Sequence, residues 1–160
     1  MRIIDIIEGT TVDGPGLRTS IYFAGCAHKC PGCHNRQTWD FGGGAATTAS
    51  QVMERVLAAD FNVTLTGGDP LYQAAELLPL VKSITEAGYT IWCYTGFVWA
   101  DIIVNHDMAA LLPFIQVVVD GPYIESQRDP DLLFRGSANQ RLIDVRASLD
   151  ASDVVLWHCD

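Results

Sequence analysis

Residues 19–35 read TSIYFAGCAHKCPGCHN and join a run of β-branched and aromatic residues to a cluster of three cysteines. The first five residues predict a strand, because residues of these types fit a pleated, half-buried surface. Cys26, Cys30 and Cys33 follow with C-x3-C-x2-C spacing, and Pro31 and Gly32 suit a tight loop. Three thiolates on so short a loop can converge on one metal centre.

Beyond this loop, β-rich runs alternate with glycine-rich turns and helical periodicity. Thr48 and Gln51 have the spacing of a capping box that opens a helix. Further strands are predicted at 62–66, 89–94 and 115–119, with helical patterns at 77–84 and 98–112 between them. Two short strands are expected at 142–145 and 154–157. This order predicts an α/β fold with a parallel sheet.

The length limits the architecture. We expect one domain over residues 1–160. A full eight-unit (βα) barrel takes about 250 residues, so this chain holds only about five such units. An open, partial barrel or a doubly wound sheet fits. Either would place the site at the carboxyl ends of the strands, where the sequence has the cysteine cluster, Gly67-Gly68-Asp69-Pro70, Tyr94-Thr95-Gly96 and Asp120-Gly121-Pro122.

Composition excludes several classes of protein. With 49% hydrophobic and 18% charged residues, the chain is not disordered. A formal net charge of −9 argues against a nucleic-acid partner and against a polybasic membrane anchor. No apolar run approaches the roughly 20 residues of a membrane span, and the first residues show no export signal. We therefore expect a cytoplasmic protein that binds neither nucleic acid nor membrane.

The five cysteines cannot all pair internally, and their clustering favours metal binding or redox chemistry over disulfides. Three interpretations are open for the cluster. The thiols are free, or they form a Cys3His zinc site with His28 or His34. In the third interpretation they hold an iron–sulfur cluster. Such a cluster usually has four cysteine ligands, so three cysteines would leave one iron without a protein ligand.

The cysteine loop resembles that of the radical S-adenosylmethionine (SAM) enzymes. Other segments resemble the glycyl-radical activating enzymes, in particular the branch that acts on anaerobic (class III) ribonucleoside-triphosphate reductase. These segments are VDGPGLR at 12–18, GGDPL at 67–71, WCYTGF at 92–97, VDGPY at 119–123 and FRGSANQR at 134–141. Together they span most of the chain, and their combination is far more specific than the cysteine spacing alone.

The resemblance implies an open partial (βα) barrel of about five to six parallel strands. It implies that Cys26, Cys30 and Cys33 hold a [4Fe–4S] cluster whose fourth iron binds the amino and carboxylate groups of SAM. Reductive cleavage of SAM would give methionine and a 5′-deoxyadenosyl radical that abstracts hydrogen from a glycine of the reductase. No side chain is then needed as an acid or base, because the chemistry belongs to the cluster and SAM.

The same resemblance suggests which residues contact SAM. Gly67 and Gly68 would receive its methionine end, and Asp69 would accept from the ammonium group or only cap the following segment. Gly32, Cys33 and His34 would lie near the adenine through backbone groups. Much of the superfamily has an aromatic residue where this chain has Gly32, so stacking by a side chain is not expected there.

Other polar residues have two interpretations each. Asp120 is a candidate ribose contact or a turn-forming residue, and Asn139, Gln140 and Arg141 line the SAM site or brace the barrel. Arg18 and Lys29 attract the cluster or an electron donor, or are solvated charges. His28 is expected to be exposed or to act behind the cluster ligands. We expect Cys93 to be buried and Cys159 to be a free thiol.

The resemblance implies the reductase as protein substrate and a flavodoxin or ferredoxin-type electron donor. It leaves a homodimer or a heterotetramer with the reductase open. The alternatives are an activase of another glycyl-radical enzyme and a small-molecule radical SAM enzyme such as a deazapurine synthase. A Cys3His zinc-binding interaction module is the alternative without catalysis.

Overall fold

Seven strands form one sheet in the computed structural model, which describes residues 1–159. The strands are β1 (Arg2–Thr10), β2 (Arg18–Phe23), β3 (Ala45–Ala46), β4 (Asn62–Gly67), β5 (Ile91–Tyr94), β6 (Val117–Asp120) and β7 (Arg141–Asp144). Their order across the sheet is β3-β1-β2-β4-β5-β6-β7.

The helices lie in the connections between the strands and after the last strand. They are α1 (Ala49–Ala59), α2 (Ala74–Glu86), α3 (Trp99–Val104), α4 (His106–Ala109) and α5 (Val145–Ala151). Short 3-10 helices are found at Arg36–Thr38, Pro70–Gln73, Leu112–Phe114 and Glu125–Gln127. None of the helices within residues 1–159 combines the length and the apolar composition that crossing a bilayer requires.

The predicted α/β class is confirmed, but the sheet is mixed. Strands β2, β4, β5 and β6 are parallel, whereas β1, β3 and β7 join the edges antiparallel. Four parallel strands are fewer than the five to six expected. The reason lies in the connections: loop 11–17 between β1 and β2 is shorter than the dozen or so residues of a parallel crossover. The curvature of a partial barrel stays a prediction.

Local sequence signals define most elements correctly. Thr48 and Gln51 form the predicted capping box, with Thr48 Oγ1 accepting from Gln51 N at 3.2 Å and Gln51 Oε1 accepting from Thr48 N at 2.9 Å. The predicted helix over 98–112 is two helices, because the Asn105 side chain accepts from Asp107 N and Met108 N and starts a new one. The predicted strand at 154–157 is only a bridge between Leu156 and Ile143.

The two faces of the parallel strands differ in character. Alternation of side chains along the strands puts Ile21, Val63, Leu65 and Cys93 on one face, in the large apolar core with α1 and α2. Cys93 is thus buried, as predicted. On β2 and β4 the opposite face carries Arg18, Ser20, Tyr22, Thr64 and Thr66. Parallel strands covered on both sides are usually apolar throughout, so this face differs from an ordinary apolar core in being held by hydrogen bonds that its side chains make.

Candidate iron–sulfur site and adjoining cleft

The cysteine loop runs from the end of β2 to the 3-10 helix Arg36–Thr38, and its two ends are hydrogen-bonded to each other. Gly25 N donates to Thr38 O at 2.7 Å, and Cys26 N donates to Trp39 O at 3.1 Å. Within the loop, Cys33 N donates to Cys30 O at 3.1 Å. The loop is therefore closed at its base and keeps its three thiols at the carboxyl end of β2, as predicted.

The thiols differ in exposure but share a polar backbone environment. Cys26 is 8% exposed, Cys30 and Cys33 are half-buried, and all are free. Burial raises the pKa of the Cys26 thiol, while the backbone N–H groups of His28 and Lys29 act to lower that pKa. Asn35 N donates to Cys33 Sγ at 3.4 Å. A thiolate buried like that of Cys26 needs a nearby positive charge, which a bound metal supplies.

The donor set fits a cluster of several irons better than one zinc ion. Within residues 1–159, no three His, Cys, Asp or Glu side chains converge on a single ion, as a Cys3His site would require. His28, a candidate zinc ligand, is engaged with Asp69 at 2.9 Å instead. Three thiols without a fourth protein ligand match a [4Fe–4S] cluster that has one iron open to another ligand.

The Gly67-Gly68-Asp69 turn after β4 packs directly on the cysteine loop. Gly68 N donates to Phe23 O at 2.8 Å, and Asp69 N donates to Gly25 O at 2.9 Å. A Cβ on Gly68 would lie 2.5 Å from Gly25 O. Glycine at 68 is therefore required for the close approach of two backbones, and the turn supports the loop that carries the thiols.

Asp69 is fully buried and is the hub of this region. Its carboxylate accepts from Leu71 N at 3.0 Å, from Thr95 Oγ1 at 2.9 and 3.0 Å, and from Gly96 N at 2.9 Å. It also accepts from His28 Nε2 at 2.9 Å. The bond to Leu71 N is the predicted cap of the following segment, and the contact with the SAM ammonium group stays a prediction. The bonds to Thr95 and Gly96 were not predicted, because sequence spacing gives no contact between separate turns.

Asp120 is also buried, at the end of β6. It accepts from Trp99 N at 2.8 Å and from Arg141 Nε at 3.0 Å, and this hydrogen bond raises the pKa of Arg141. Asn139 Nδ2 donates to Pro122 O at 2.7 Å, and Gln140 Nε2 donates to Gly121 O at 3.1 Å. These contacts match the bracing role that the sequence left open for residues 139–141.

A cleft of about 560 Å³ lies beside the cysteine loop on the polar face of the sheet. Cys33 and His34 line it, together with Thr66 and Tyr94 from the carboxyl ends of β4 and β5. Tyr94 also donates through its hydroxyl to Phe134 O at 2.8 Å, which fixes the segment on the far side of the cleft. A ligand in this cleft would contact the loop that bears the thiols.

The other predicted site residues lie next to the cleft lining. Gly67 pairs with Phe23 at the end of β2, and Gly68 and Asp69 contact the base of the cysteine loop. Gly32 has a φ of +76°, and a Cβ there would lie 2.6 Å from Glu125 Oε1, so this glycine fits the cysteine loop against the 3-10 helix Glu125–Gln127. The structure thus brings these residues to one region.

Both interpretations of Arg18 are wrong. Arg18 is 1% exposed and begins β2, at the strand end opposite the cysteine loop. Its guanidinium donates to Thr64 Oγ1 at 2.7 Å and to Val63 O at 2.6 Å, and it lies 5.5 Å from the Trp92 ring. Burial lowers the pKa of Arg18 to about 10. The alternation of polar residues along β2 and β4 was the signal that could have indicated this polar face.

Comparisons with known proteins show what this chain is similar to. A family described as "4Fe-4S single cluster domain" matches residues 12–143. An anaerobic ribonucleoside-triphosphate reductase-activating protein from Vibrio cholerae is 41% identical over 141 residues, covering 81% of this chain and 88% of that protein. Its namesake from Haemophilus influenzae is 36% identical, covering 88% and 96%, and that from Enterobacteria phage T4 is 39% identical, covering 82% and 86%. The solved structure of QueE from Escherichia coli aligns with a TM-score of 0.48 and 20% identity, over 59% of this chain and 52% of that chain.

The match over residues 12–143 and the three-cysteine loop define a protein with a single 4Fe–4S cluster domain. Within that class, the chain belongs to the family of the anaerobic ribonucleoside-triphosphate reductase-activating proteins, which makes it an activating enzyme. The predicted resemblance to this branch is confirmed.

Proposed function

We propose that this chain cleaves S-adenosylmethionine with a [4Fe–4S] cluster held by Cys26, Cys30 and Cys33, and thereby activates an anaerobic ribonucleoside-triphosphate reductase. The observation that carries the proposal is the position of the thiols. All three are free, lie on one closed loop, and adjoin a cleft of about 560 Å³. The names of the relatives supply the reductase as the target.

When bound, the cluster supplies one electron to SAM, which yields methionine and 5′-deoxyadenosine, with the hydrogen atom taken from a glycine Cα of the reductase. The residues of this chain would bind the cluster and SAM and orient them. Backbone donors near Cys26 and Cys33 stabilise the thiolates. Thr66 at the carboxyl end of β4 and Tyr94 at that of β5 line the cleft in which a reacting group would be held.

The SAM-binding residues are proposals that rest on their positions. Cys33 and His34 line the cleft, which supports an adenine site that uses backbone groups of residues 32–34. We assign the methionine end to the side of the loop where Gly67 and Gly68 pack.

For Asp69 and Asp120 we propose a structural role rather than direct contact with SAM. Asp69 would reach the SAM ammonium only through a carboxylate that four protein residues already share. Asp120 would reach the ribose only by giving up part of its pairing with Arg141. We therefore propose that both residues act mainly by holding neighbouring segments in place.

The proposed protein substrate is a glycine-containing loop of the reductase. Arg128 and Pro130 at the rim of the cleft are exposed, which supports entry of a polypeptide segment from outside. The proposed electron donor is of the flavodoxin or ferredoxin type. The proposed setting is the cytoplasm, where cysteines remain reduced, in agreement with five free cysteines.

The test is anaerobic reconstitution with iron and sulfide, followed by reduction, addition of SAM and assay of 5′-deoxyadenosine and methionine. We expect about four irons per chain and product formation in the wild type. Cys26→Ala, Cys30→Ala and Cys33→Ala should each abolish product. Cys159→Ala is the matched control, because this exposed thiol lies outside the loop, and it should behave as wild type.

Addition of the partner reductase gives the second arm of the test. The proposal predicts a glycyl radical signal in the reductase by electron paramagnetic resonance (EPR), dependent on SAM and on the three cysteines. One zinc per chain with no visible absorption would instead identify a zinc module. A fully loaded, reduced cluster that cleaves no SAM, even with the reductase present, would contradict the proposed function.

A further inference from the structure

The segment between Cys26 and Cys30 has a backbone conformation that its own residues do not favour. Lys29 has a φ of +48°, in the left-handed region that residues other than glycine rarely occupy. Such a conformation costs free energy and persists only where surrounding contacts hold it. The side chain of Lys29 is exposed and cannot supply that contact.

His28 supplies a contact from the neighbouring position. Its Nε2 donates to Asp69 Oδ2 at 2.9 Å, and its ring packs against Phe97 with centroids 4.7 Å apart. Asp69 is itself held by Thr95 Oγ1 and Gly96 N. The His28 side chain therefore ties the cysteine loop to the turns that follow β4 and β5, which are independent of the loop in sequence.

Gly96 provides the space for this ring. A Cβ on Gly96 would lie 2.5 Å from His28 Cδ2 and 2.7 Å from His28 Cγ, too close for the ring to stay in place. Gly96 does not have a positive φ, so its backbone conformation does not itself require glycine. What requires glycine at this position is the imidazole ring of His28.

We infer that His28 is a positioning residue, which holds the Cys26–Cys30 segment in its cluster-binding conformation through Asp69, and that Gly96 is required to admit its ring. The inference rests on the proposed role of the three cysteines as cluster ligands. The backbone N–H of His28 also faces the Cys26 sulfur. Holding the His28 side chain in place therefore also holds its backbone N–H beside the Cys26 sulfur.

The first test measures alkylation of each cysteine in the reduced, iron-free protein by iodoacetamide, resolved by peptide mass spectrometry. We expect His28→Ala and Gly96→Ala to speed modification of Cys26 by about tenfold, the effect of losing one hydrogen bond to a charged group. His28→Gln, which keeps a donor for Asp69, should restore much of the protection. His106→Ala is the control, since that side chain is 97% exposed.

A double variant separates the ring contact from general damage. In a His28→Ala background, Gly96→Ala should add little, because the ring with which its Cβ collides is gone. Buried Cys93 is the internal reference. The inference is overturned if His28→Ala leaves Cys26 as protected as in the wild type, if the two substitutions are additive, or if Cys93 is modified faster to the same extent as Cys26.

The reconstituted protein gives a readout specific to the cluster. The EPR spectrum of the reduced cluster should change in His28→Ala and Gly96→Ala and return towards wild type in His28→Gln. Unchanged spectra in both alanine variants would contradict the inference. Failure of the wild type to bind iron would contradict the proposed function instead, while the alkylation experiment would still decide what His28 does.

Discussion

At the scale of single residues, Asp69 joins three segments that are far apart in the sequence. Its carboxylate accepts from the cysteine loop through His28, from its own turn through Leu71, and from the turn after β5 through Thr95 and Gly96. A carboxylate buried among donors stabilises the fold because each donor would otherwise lose its bond to water without replacement.

Asp69→Asn should therefore destabilise the protein, because the amide nitrogen cannot accept from Gly96 N or from His28. Leaving a buried donor unpaired costs about 1–3 kcal/mol, and we expect a loss of at least that size in urea unfolding of the iron-free protein. Asp131→Asn, at an exposed position, is the matched control. Equal stability of the two variants would show that Asp69 does not join these segments.

Gly68 gives a second prediction at this scale. Its Cβ would lie 2.5 Å from Gly25 O, which is backbone and cannot rotate away. Gly68→Ala should lower the free energy of unfolding by about 1–3 kcal/mol, as overpacking does, and should reduce iron loading. Gly42→Ala, whose Cβ would come no closer than 3.4 Å to the Asp40 side chain, should change neither. If Gly68→Ala bound as much iron as the wild type, the close approach of Gly68 to Gly25 would not be needed for iron binding.

At the scale of elements, the polar side chains of β2 form a network beside the cleft. Asp13 Oδ2 accepts from Ser20 Oγ at 2.8 Å and from the Tyr22 hydroxyl at 3.4 Å. Burial, together with the charge of Asp13, raises the pKa of Tyr22 to about 12. Burial also raises the pKa of Tyr94.

This network predicts how stability depends on pH. The folded-state pKa of Tyr22 lies above its ordinary value of 10.0, so the unfolded chain loses its proton first. The contribution of Tyr22 is fully present below pH 10 and is lost as the pH rises through about 12. Urea unfolding from about pH 9 to about pH 11 should show falling stability, with a shallower fall in Tyr22→Phe. Identical slopes in the two proteins would contradict this assignment.

The helices and strands also show which features of the local sequence predict structure correctly. The capping box of α1 and the strand that leads to the cysteines followed from neighbouring residues, because the bonds that define them are local. Strand β1, between β3 and β2, was not predicted, and β7 pairs antiparallel rather than parallel. Strand direction depends on how the chain returns to the sheet, and no short window of sequence contains that information.

At the scale of the whole molecule, the sheet is covered differently on its two faces. Helices α1 and α2 pack on one face in the apolar core. On the other, Trp92, Val117 and Val119 pack against Phe134 and Trp157 over the β5–β7 half. The cleft lies on this second face at the carboxyl ends of the strands, where Thr66 and Tyr94 line it. The cysteine loop therefore adjoins an accessible cavity rather than a packed core.

The sequence by itself determined the candidate cluster ligands and the family of this protein, because the three cysteines, their spacing and the glycine turns are properties of short segments. Only the tertiary structure decided which groups these segments meet: the partners of Asp69, the fit of His28 over Gly96, and the burial of Arg18 at the far end of β2. Those contacts join residues that are distant along the chain. The packing of the whole sheet and its loops fixes them, and no local preference encodes them.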